Sequence, residues 1–389
     1  MLITNGKIVT PREIITGFSL QEREGKIVRI APAESLQPDS GEETVDAGGC
    51  FVAPGFIDIH VHGAMGCDTM EATVEALGKI ARFHAAGGTT AMTPTTATAD
   101  AEAILKAVEA VANAQGHDFG GAELIGVHIE GPFISPAKPG AQDPAQIRVP
   151  NPKEYEQWLE RDDVITHVTL APELEGAFDL IEKLAEHEIL ASGGHTEATA
   201  EIAAQAFERG LSHATHLFNC MSSMTKNGAF RSAGFAEAAL ADDRVTVELI
   251  ADGKHLPAAV MKLAIKAKGV DGVCLVTDAT AGAGLAEGSE FQIGNVKAVD
   301  ADGVALTADK KSLAGSTAQT IMLVKNIAHI GISLVDAVRM ASLTPARVLG
   351  ISGRKGSLEE RKDADIVFFD ESFRVRRTII GGRSVFTGE

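Results

Sequence analysis

Residues 56–63, FIDIHVHG, place two histidines one residue apart at the end of an apolar run. Side chains in an extended strand alternate between its two faces. His60 and His62 are therefore expected to point one way, and Ile59 and Val61 the other. A hydrogen-bonded histidine pair and a pair of metal ligands both fit this pattern, so the interpretation depends on the rest of the chain.

The 389-residue chain has the composition of a globular protein, with 45% hydrophobic and 23% charged residues. Its formal net charge of −18 argues against nucleic acid or an anionic membrane as a partner, and an anionic substrate would need a local basic pocket. The four cysteines lie far apart without a C-x-x-C motif, which favours reduced thiols. The sequence has neither a signal-peptide pattern nor an apolar run of about 18 residues, so we expect a cytoplasmic protein.

Between residues 54 and 349, apolar strands alternate with amphipathic helices. The strands are predicted at 56–62, 89–95, 123–129, 167–172, 189–194, 211–217, 246–251 and 273–277. Repeated βα units with apolar strands are typical of a parallel sheet covered by helices. Eight of them predict an α/β fold with a closed (β/α)₈ TIM-like barrel as the catalytic domain. An open doubly wound sheet is the alternative, but no G-x-G-x-x-G motif follows the first strand.

Both ends of the chain are rich in short strands and turn signals. Neither 1–53 nor 350–389 is able to bury a hydrophobic face alone, so we predict that they form one small β-sandwich domain together. Residues 288–316 have the pattern of a β-hairpin insertion with an Asp-Gly turn. A long helical segment is predicted from Thr317 to Leu349.

Polar residues stand where the predicted barrel strands end, which is where barrel enzymes carry their chemistry. In chain order they are His60, His62, Glu130, His195, His216, Asn219, Asp252, His255 and Asp278. Unpaired polar groups close to a core are costly, so a set of this size at matching strand ends favours a function. Imidazoles and carboxylates together suit Zn²⁺ or another divalent transition metal. The sequence therefore predicts a metal site at the barrel mouth.

These residues lie in the motifs PGFIDIHVHG, HIEGPFI, GGHT, HLFNCM, ADGKH, TDAT and LAGS. The set resembles the amidohydrolase superfamily and, within it, the N-acetylglucosamine-6-phosphate deacetylases, almost from end to end. The resemblance implies metal-dependent hydrolysis of the acetamide of N-acetylglucosamine 6-phosphate, giving glucosamine 6-phosphate and acetate, in amino-sugar catabolism and cell-wall sugar recycling. Water bound to the metal is the implied nucleophile.

The resemblance also implies roles for individual residues. Glu130, His195 and His216 match the metal ligands present throughout the family. His60 and His62 match a pair that completes a second metal position in some members. One or two divalent ions per subunit are therefore expected, with Zn²⁺ preferred and Fe²⁺, Mn²⁺, Co²⁺ or Cd²⁺ as alternatives.

The remaining matches concern the proton transfer and the substrate. Asp278 matches the catalytic acid/base, for which a pKa raised by partial burial would be an advantage. The substrate-contacting positions are matched by Ala141, Gln142, Asn219, Cys220, Arg231, His255, Leu313, Ala314 and Gly315. In this family the phosphate-binding arginine comes from the neighbouring subunit, which implies a homodimer with Arg231 acting across the interface.

Two departures from the family pattern concern these substrate positions. Ser232 and Ala233 follow Arg231 where a proline is usual, so Arg231 is a weaker match than Glu130. Some members carry histidine where Gln142 stands.

Three other functions are weighed against this one. N-acetylgalactosamine-6-phosphate deacetylation differs by one hydroxyl stereocentre, which the sequence does not distinguish. The second alternative is another amidohydrolase, such as a cyclic amidase or a nucleobase deaminase. Cyclic amidases usually carry a carboxylated lysine on strand four, whereas HVTLAPE has none. A non-catalytic scaffold should have lost the ligands, which are all present here.

The other histidines are predicted to be structural, namely His84, His117, His167, His187 and His329. His213 precedes His216 by three residues and is expected on the opposite strand face, where packing or a bond to a ligand residue is favoured over metal binding. Asp252 is a candidate for orienting a ligand or a substrate group.

Overall fold

The computed structural model describes residues 1–301 and 303–388, and parallel strands lie at its centre. Eight strands, here called β1 to β8, are Phe56–Val61, Thr89–Pro94, Val127–Glu130, Ile165–Leu170, Leu190–Gly193, Leu211–Ala214, Thr246–Ile250 and Val273–Val276. Strands β3 to β8 form one parallel sheet in chain order, while β1 and β2 form a second one with Glu123–Leu124. The predicted parallel strands are confirmed within a few residues at each end.

Two isolated parallel bridges connect these two sheets. Thr95, just after β2, bridges to His128 in β3, and Val61 in β1 bridges to Ala279, just after β8. The carboxyl ends of all eight strands therefore lie at one edge of the described structure, where the polar strand ends were expected to meet.

The helices follow the strands as predicted. Among the described residues they are Val74–Ala86, Ala101–Ala114, Pro152–Leu159, Ala177–Glu186, Ala200–Glu208, Phe235–Ala241, Ala258–Lys268, Thr320–His329, Leu334–Met340 and Leu343–Val348. Several begin at a side-chain cap. Thr73, Asp100 and Thr199 accept hydrogen bonds from backbone N–H groups in the first turn. None of these helices is long and apolar enough to cross a membrane.

The helical segment predicted from Thr317 to Leu349 is divided into three short helices, Thr320–His329, Leu334–Met340 and Leu343–Val348. Gly331 follows the first of them with φ +93°, a conformation that glycine adopts at little cost. Ser342 separates the second helix from the third with a non-helical φ of −140°.

The two chain ends pair with each other. One sheet contains Leu2–Thr4, Phe18–Arg23, Lys26–Pro32 and Thr44–Asp46, and another contains Lys7–Val9, Ile14–Ile15, Phe51–Pro54, Ile366–Phe369, Val375–Ile380 and Arg383–Thr387. Phe51–Pro54 runs antiparallel to Ile366–Phe369, so N-terminal and C-terminal strands share a sheet. Residues of both sheets, including Ile3, Leu20, Val52 and Ile366, belong to one buried hydrophobic cluster.

The insertion after β8 has one strand more than the predicted hairpin. Glu290–Ile293, Val296–Ala301 and Val304–Thr307 form a three-stranded antiparallel sheet. Asp302 of the predicted Asp-Gly turn lies outside the described residues, as does Glu389 at the end of the predicted terminal domain. Gly294 N donates a hydrogen bond to Asp68 Oδ2 at 3.4 Å, which ties the insertion to the loop after β1.

The remaining short elements are the strands Gly63–Ala64, Cys67–Asp68, Thr225–Asn227 and Phe230–Ser232 and the 3₁₀ helices Ala33–Ser35, Thr69–Glu71 and Val270–Gly272. The four cysteines all fall within the described residues and are free thiols.

His84 couples the stability of the fold to pH. Its side chain is fully buried in the helix Val74–Ala86, and Nε2 donates to Gly63 O at 3.3 Å. Burial lowers the pKa of His84 to about 4, although the bond to Gly63 opposes the shift. The unfolded chain, with a histidine pKa near 6.5, therefore binds more protons between these two values, and stability is lost as the pH falls through this window.

When the pH falls from 7 to 5, His84 becomes protonated in the unfolded chain but not in the folded protein. We expect this difference to lower the free energy of unfolding by about 2 kcal/mol. His84→Gln keeps an N–H donor but does not titrate, so the pH dependence of the variant should be smaller by that amount. Urea unfolding at both pH values measures it. His117→Gln, at an exposed position, is the matched control. An unchanged pH dependence in His84→Gln would contradict this assignment.

Candidate metal centre and active site

Five predicted ligands from four strands converge on one point. Glu130 is the last residue of β3, His60 lies in β1 with His62 just after it, and His195 and His216 follow β5 and β6. All five are at most 4% exposed. Their ligand atoms form two overlapping groups, each within 4.8 Å, consisting of His60, His62 and Glu130, and of Glu130, His195 and His216. Glu130 belongs to both.

The Glu130 carboxylate occupies the middle of the cluster. Its Oε1 lies 3.2 Å from His195 Nε2 and 3.0 Å from His216 Nε2. Its other oxygen, Oε2, lies 3.2 Å from His62 Nε2. Oε1 also lies 3.6 Å from His60 Nε2, so the Glu130 carboxylate contacts imidazoles of both groups.

Asp278 lies beside the same cluster. Its Oδ1 is 3.4 Å from the Nε2 atoms of both His60 and His62. Asp278 is 7% exposed, so its carboxylate is buried but reachable from the cavity above.

The electrostatics of the cluster favour a cation. Burial alone would lower the pKa of His60, but Glu248, Asp278 and Glu130 outweigh it and raise the pKa to about 9. His62 behaves likewise, with Asp278 and Glu130 raising its pKa to about 10 against burial. The negative potential responsible for these shifts also attracts a divalent cation, which displaces protons when it binds.

A raised pKa, which would be an advantage for an acid/base residue, is not found for Asp278 in this structure. Burial does act in that direction, but the imidazoles of His60, His62 and His216 outweigh it and lower the pKa. Asp278 is therefore ionised at neutral pH, which is the state that a proton acceptor needs.

The donor set fits a divalent metal. His60 Nε2 and His62 Nε2 are 3.3 Å apart, and His195 Nε2 and His216 Nε2 are 3.1 Å apart. Once a cation has displaced their protons, imidazoles that face each other in this way would direct two lone pairs at one place, and a shared cation would satisfy both. Four imidazoles and one carboxylate are ligands typical of Zn²⁺ and its first-row neighbours.

Backbone strain accompanies the ligand positions. His195, His216 and Asp278 have φ values of +47°, +29° and +48°, a region that residues other than glycine rarely adopt. Such conformations persist only where surrounding contacts impose them, and they concentrate at functional sites.

A cavity of about 300 Å³ opens above the cluster. Its wall includes His62, Glu130, His195, His216 and Asp278, and of the predicted substrate positions it includes Ala141, Gln142, Asn219, Cys220, His255, Leu313, Ala314 and Gly315. Gly140, Phe218, Thr280, Ile293 and Ser312, which the sequence did not single out, complete the lining.

Two of these wall residues are held by neighbouring protein groups. Gln142 Nε2 donates to Glu130 Oε2 at 2.5 Å, and its Oε1 accepts from Thr98 N at 2.6 Å. Both ends of the Gln142 amide thus serve to hold the Glu130 carboxylate. His255 Nδ1 bonds to Asp252 Oδ2 at 2.8 Å, so Asp252 orients a predicted substrate residue.

Arg231 differs from the other predicted substrate residues. Within the described residues it does not line the cavity. It lies exposed on the strand Phe230–Ser232, opposite Thr225–Asn227, and the adjacent Phe230 is 79% exposed. Its guanidinium is therefore free to face another molecule.

Sequence reasoning missed two buried carboxylates beneath the cluster. Glu248 in β7 contacts His60, and Asp58 in β1 bonds to Thr277 Oγ1 at 2.6 Å. Both side chains are fully buried. A charged residue inside an otherwise apolar strand was the available signal, and strand alternation places Asp58 on the same face as His60 and His62.

Among the described residues, the histidines predicted to be structural belong to neither ligand group. His167 stacks on His128 with ring centroids 3.8 Å apart, and burial lowers the pKa of His167 to about 3. His187 pairs with Asp162 near the surface at 2.9 Å. His213 bonds to Thr246 Oγ1 at 2.6 Å, and its Nε2 lies 3.5 Å from Glu248 Oε1.

Comparisons with known proteins agree with this geometry. The sequence profile described as the amidohydrolase family matches residues 51–385. N-acetylglucosamine-6-phosphate deacetylase of Bacillus subtilis (strain 168) is 36% identical, covering 99% of this chain and 97% of that protein. N-acetylgalactosamine-6-phosphate deacetylase of Escherichia coli O157:H7 is 34% identical, covering 97% of both chains.

A solved structure shares the fold over its whole length. The crystal structure of N-acetylglucosamine-6-phosphate deacetylase from Pasteurella multocida superposes with a TM-score of 0.92 at 31% identity. The match covers 100% of this chain and 99% of the other.

Proposed function

The chain belongs to the amidohydrolase family, and we propose that it hydrolyses the acetamide of N-acetylglucosamine 6-phosphate to glucosamine 6-phosphate and acetate. One observation carries the proposal. Glu130, His195 and His216 meet at the floor of a cavity with Asp278 beside them, and eight of the nine predicted substrate positions line the walls. This reaction belongs to amino-sugar catabolism.

The residues supply the parts that amide hydrolysis needs. Those that would hold the metal are Glu130, His195 and His216 at one position and His60, His62 and Glu130 at the other. When bound by these residues, a divalent cation would supply the polarisation of a carbonyl group and would lower the pKa of water to about 7. Asp278, ionised beside the cluster, accepts the proton of the attacking water and passes it to the amine nitrogen as the C–N bond breaks.

The chain's own side chains hold the substrate and the ligands in place. Gln142 fixes Glu130, and Asp252 fixes His255 in the cavity wall. Arg231 is assigned to the substrate phosphate, because a guanidinium matches phosphate oxygens with two parallel hydrogen bonds. Its exposure outside the cavity supports a homodimer in which it reaches the partner's site. Zn²⁺ is the preferred metal and the cytoplasm the expected location.

The proposal extends to the architecture. The two isolated parallel bridges between the sheets support closure of β1 to β8 into a (β/α)₈ barrel over residues 54–349. The shared hydrophobic cluster of the terminal sheets supports a small β-sandwich from 1–53 and 350–389.

Acetate release from N-acetylglucosamine 6-phosphate tests the function. We expect turnover to stop after chelation and return with Zn²⁺. We also expect kcat/KM to be about 10- to 100-fold lower for the sugar without phosphate, the effect of losing charge-assisted hydrogen bonds. Arg231→Gln should lower kcat/KM for the phosphorylated sugar by a similar factor and leave the other sugar unaffected.

Arg244→Gln, an exposed arginine paired with Glu208 and Asp242, is the matched control and should retain the preference for phosphate. Full turnover after exhaustive chelation would overturn the proposal. An equal loss on both sugars in Arg231→Gln would remove that residue from phosphate recognition.

N-acetylgalactosamine 6-phosphate is the second candidate substrate. The 34% identity to a deacetylase of that name, over 97% of both chains, is the observation in its favour. The same assay on both sugar phosphates distinguishes the two, and the substrate with the higher kcat/KM identifies the function.

A further inference from the structure

Glu248 is a buried carboxylate to which the reaction described above gives no role. It lies in β7, between Val247 and Leu249, and its side chain is fully buried. An isolated ionised carboxylate in a protein interior is costly unless it is paired and hydrogen-bonded. The groups that contact Glu248 therefore indicate what stabilises its buried carboxylate.

Both principal contacts of Glu248 are with metal-ligand residues. Its Oε2 accepts from His60 Nδ1 at 3.0 Å and from the backbone N–H of His216 at 2.8 Å. His60 belongs to one ligand group and His216 to the other. One carboxylate oxygen of Glu248, in β7, thus bonds to a metal-ligand residue in β1 and to another just after β6.

The hydrogen bond from His60 Nδ1 to Glu248 determines which ring nitrogen of His60 is free to bind a metal. In the neutral form of His60 that binds a metal, the ring proton is the one that Nδ1 donates to Glu248, so Nε2 has no proton and faces Glu130 and Asp278. Within the described residues the other cavity-floor imidazoles lack such a carboxylate. His62 Nδ1 and His216 Nδ1 have no partner there, and His195 Nδ1 bonds to Lys138 O at 2.8 Å.

His60 is therefore the imidazole whose orientation depends most on a charged partner. We infer that Glu248 is a positioning residue that holds His60 as an Nε2 metal ligand and fixes it relative to His216. The inference rests on the proposed metal-dependent function. It adds a residue that acts through His60 and touches neither substrate nor metal.

Zinc binding to the metal-free protein, without turnover, tests this role. Glu248→Gln replaces the acceptor by an amide of the same size, so the Nδ1–H tautomer of His60 loses its charged partner. We expect the affinity of the more weakly bound zinc to fall about 10- to 100-fold in a competition titration against a chromophoric chelator. Glu154→Gln, a buried glutamate paired with Arg148, is the matched control and should bind zinc as the parent does.

A double-mutant cycle separates positioning from general destabilisation. If Glu248 acts through His60, Glu248→Gln should have no further effect on zinc affinity in a His60→Asn background. Additive losses would show that Glu248 acts independently of His60, through the His216 backbone or through fold stability, and would overturn the inference. Unchanged zinc affinity in Glu248→Gln would overturn it as well.

A spectroscopic measurement on the parent protein keeps the inference testable if Glu248→Gln does not fold. The ¹⁵N shifts of the zinc-loaded protein should show His60 protonated at Nδ1, and a proton at Nε2 would overturn the inference. A parent protein that binds no zinc would contradict the proposed function itself. A parent that binds zinc and turns over, beside an unimpaired Glu248→Gln variant, would contradict only the role of Glu248.

Discussion

Asp278→Asn is expected to lower kcat for acetamide hydrolysis by about 10³-fold, within the range for removal of a general acid–base group. The asparagine amide accepts no proton from water and delivers none to the leaving nitrogen. KM should change little, because the cavity walls are unaltered. Asp278 Oδ1 lies 3.4 Å from His60 and His62, whereas Glu130 has the shorter contacts to His195 and His216. Metal content should therefore persist.

Steady-state kinetics and metal analysis of the same preparation measure both parts of this prediction. Asp100→Asn is the matched control, since asparagine caps a helix as well as aspartate does, and kcat should be unchanged. Full activity in Asp278→Asn would remove Asp278 from the mechanism. Loss of the metal together with activity would assign Asp278 to metal binding instead.

Glu130→Gln is expected to empty both metal positions. Glu130 contributes to both ligand groups, and its two oxygens face different imidazoles. An amide offers one neutral oxygen and places N–H hydrogens toward the remaining ligands. Without a bound cation the carbonyl is not polarised and water is not acidified, which costs several kcal/mol, so kcat/KM should fall by at least about 10³-fold.

Elemental analysis after dialysis, with the kinetics, measures this loss. Among the described residues, a further acidic group of Glu123, Asp363 and Asp365 offers a matched control. Lys355 Nζ lies 2.6 Å from Glu123 and 3.0 Å from Asp363, so an ammonium group already serves as the cation there. Glu123→Gln should leave metal content unchanged. A Glu130→Gln protein with a full complement of metal would refute the ligand assignment.

Local patterns in the sequence were sufficient for the elements and for most of the candidate site. Strand alternation placed His60 and His62 on one face, and polar residues at the strand ends identified Glu130, His195 and Asp278 as neighbours. These inferences hold because side-chain direction follows from strand geometry, and because parallel strands end at a common edge. The helix breaks at Gly331 and Ser342 and the third strand of the insertion were less evident from the sequence. Short segments of similar composition occur in helices, strands and loops, so local composition does not distinguish them.

Only the tertiary structure decided what each buried polar group does. The bond between His60 and Glu248 joins residues 188 positions apart, and no periodicity connects β1 with β7. Gln142, predicted to contact substrate, lines the cavity and also holds Glu130, with Thr98 bonding the other end of its amide. The pKa of Asp278 falls rather than rises, because imidazoles from other strands outweigh its burial. Charges and hydrogen bonds act through space, so their partners are settled only when the chain has folded.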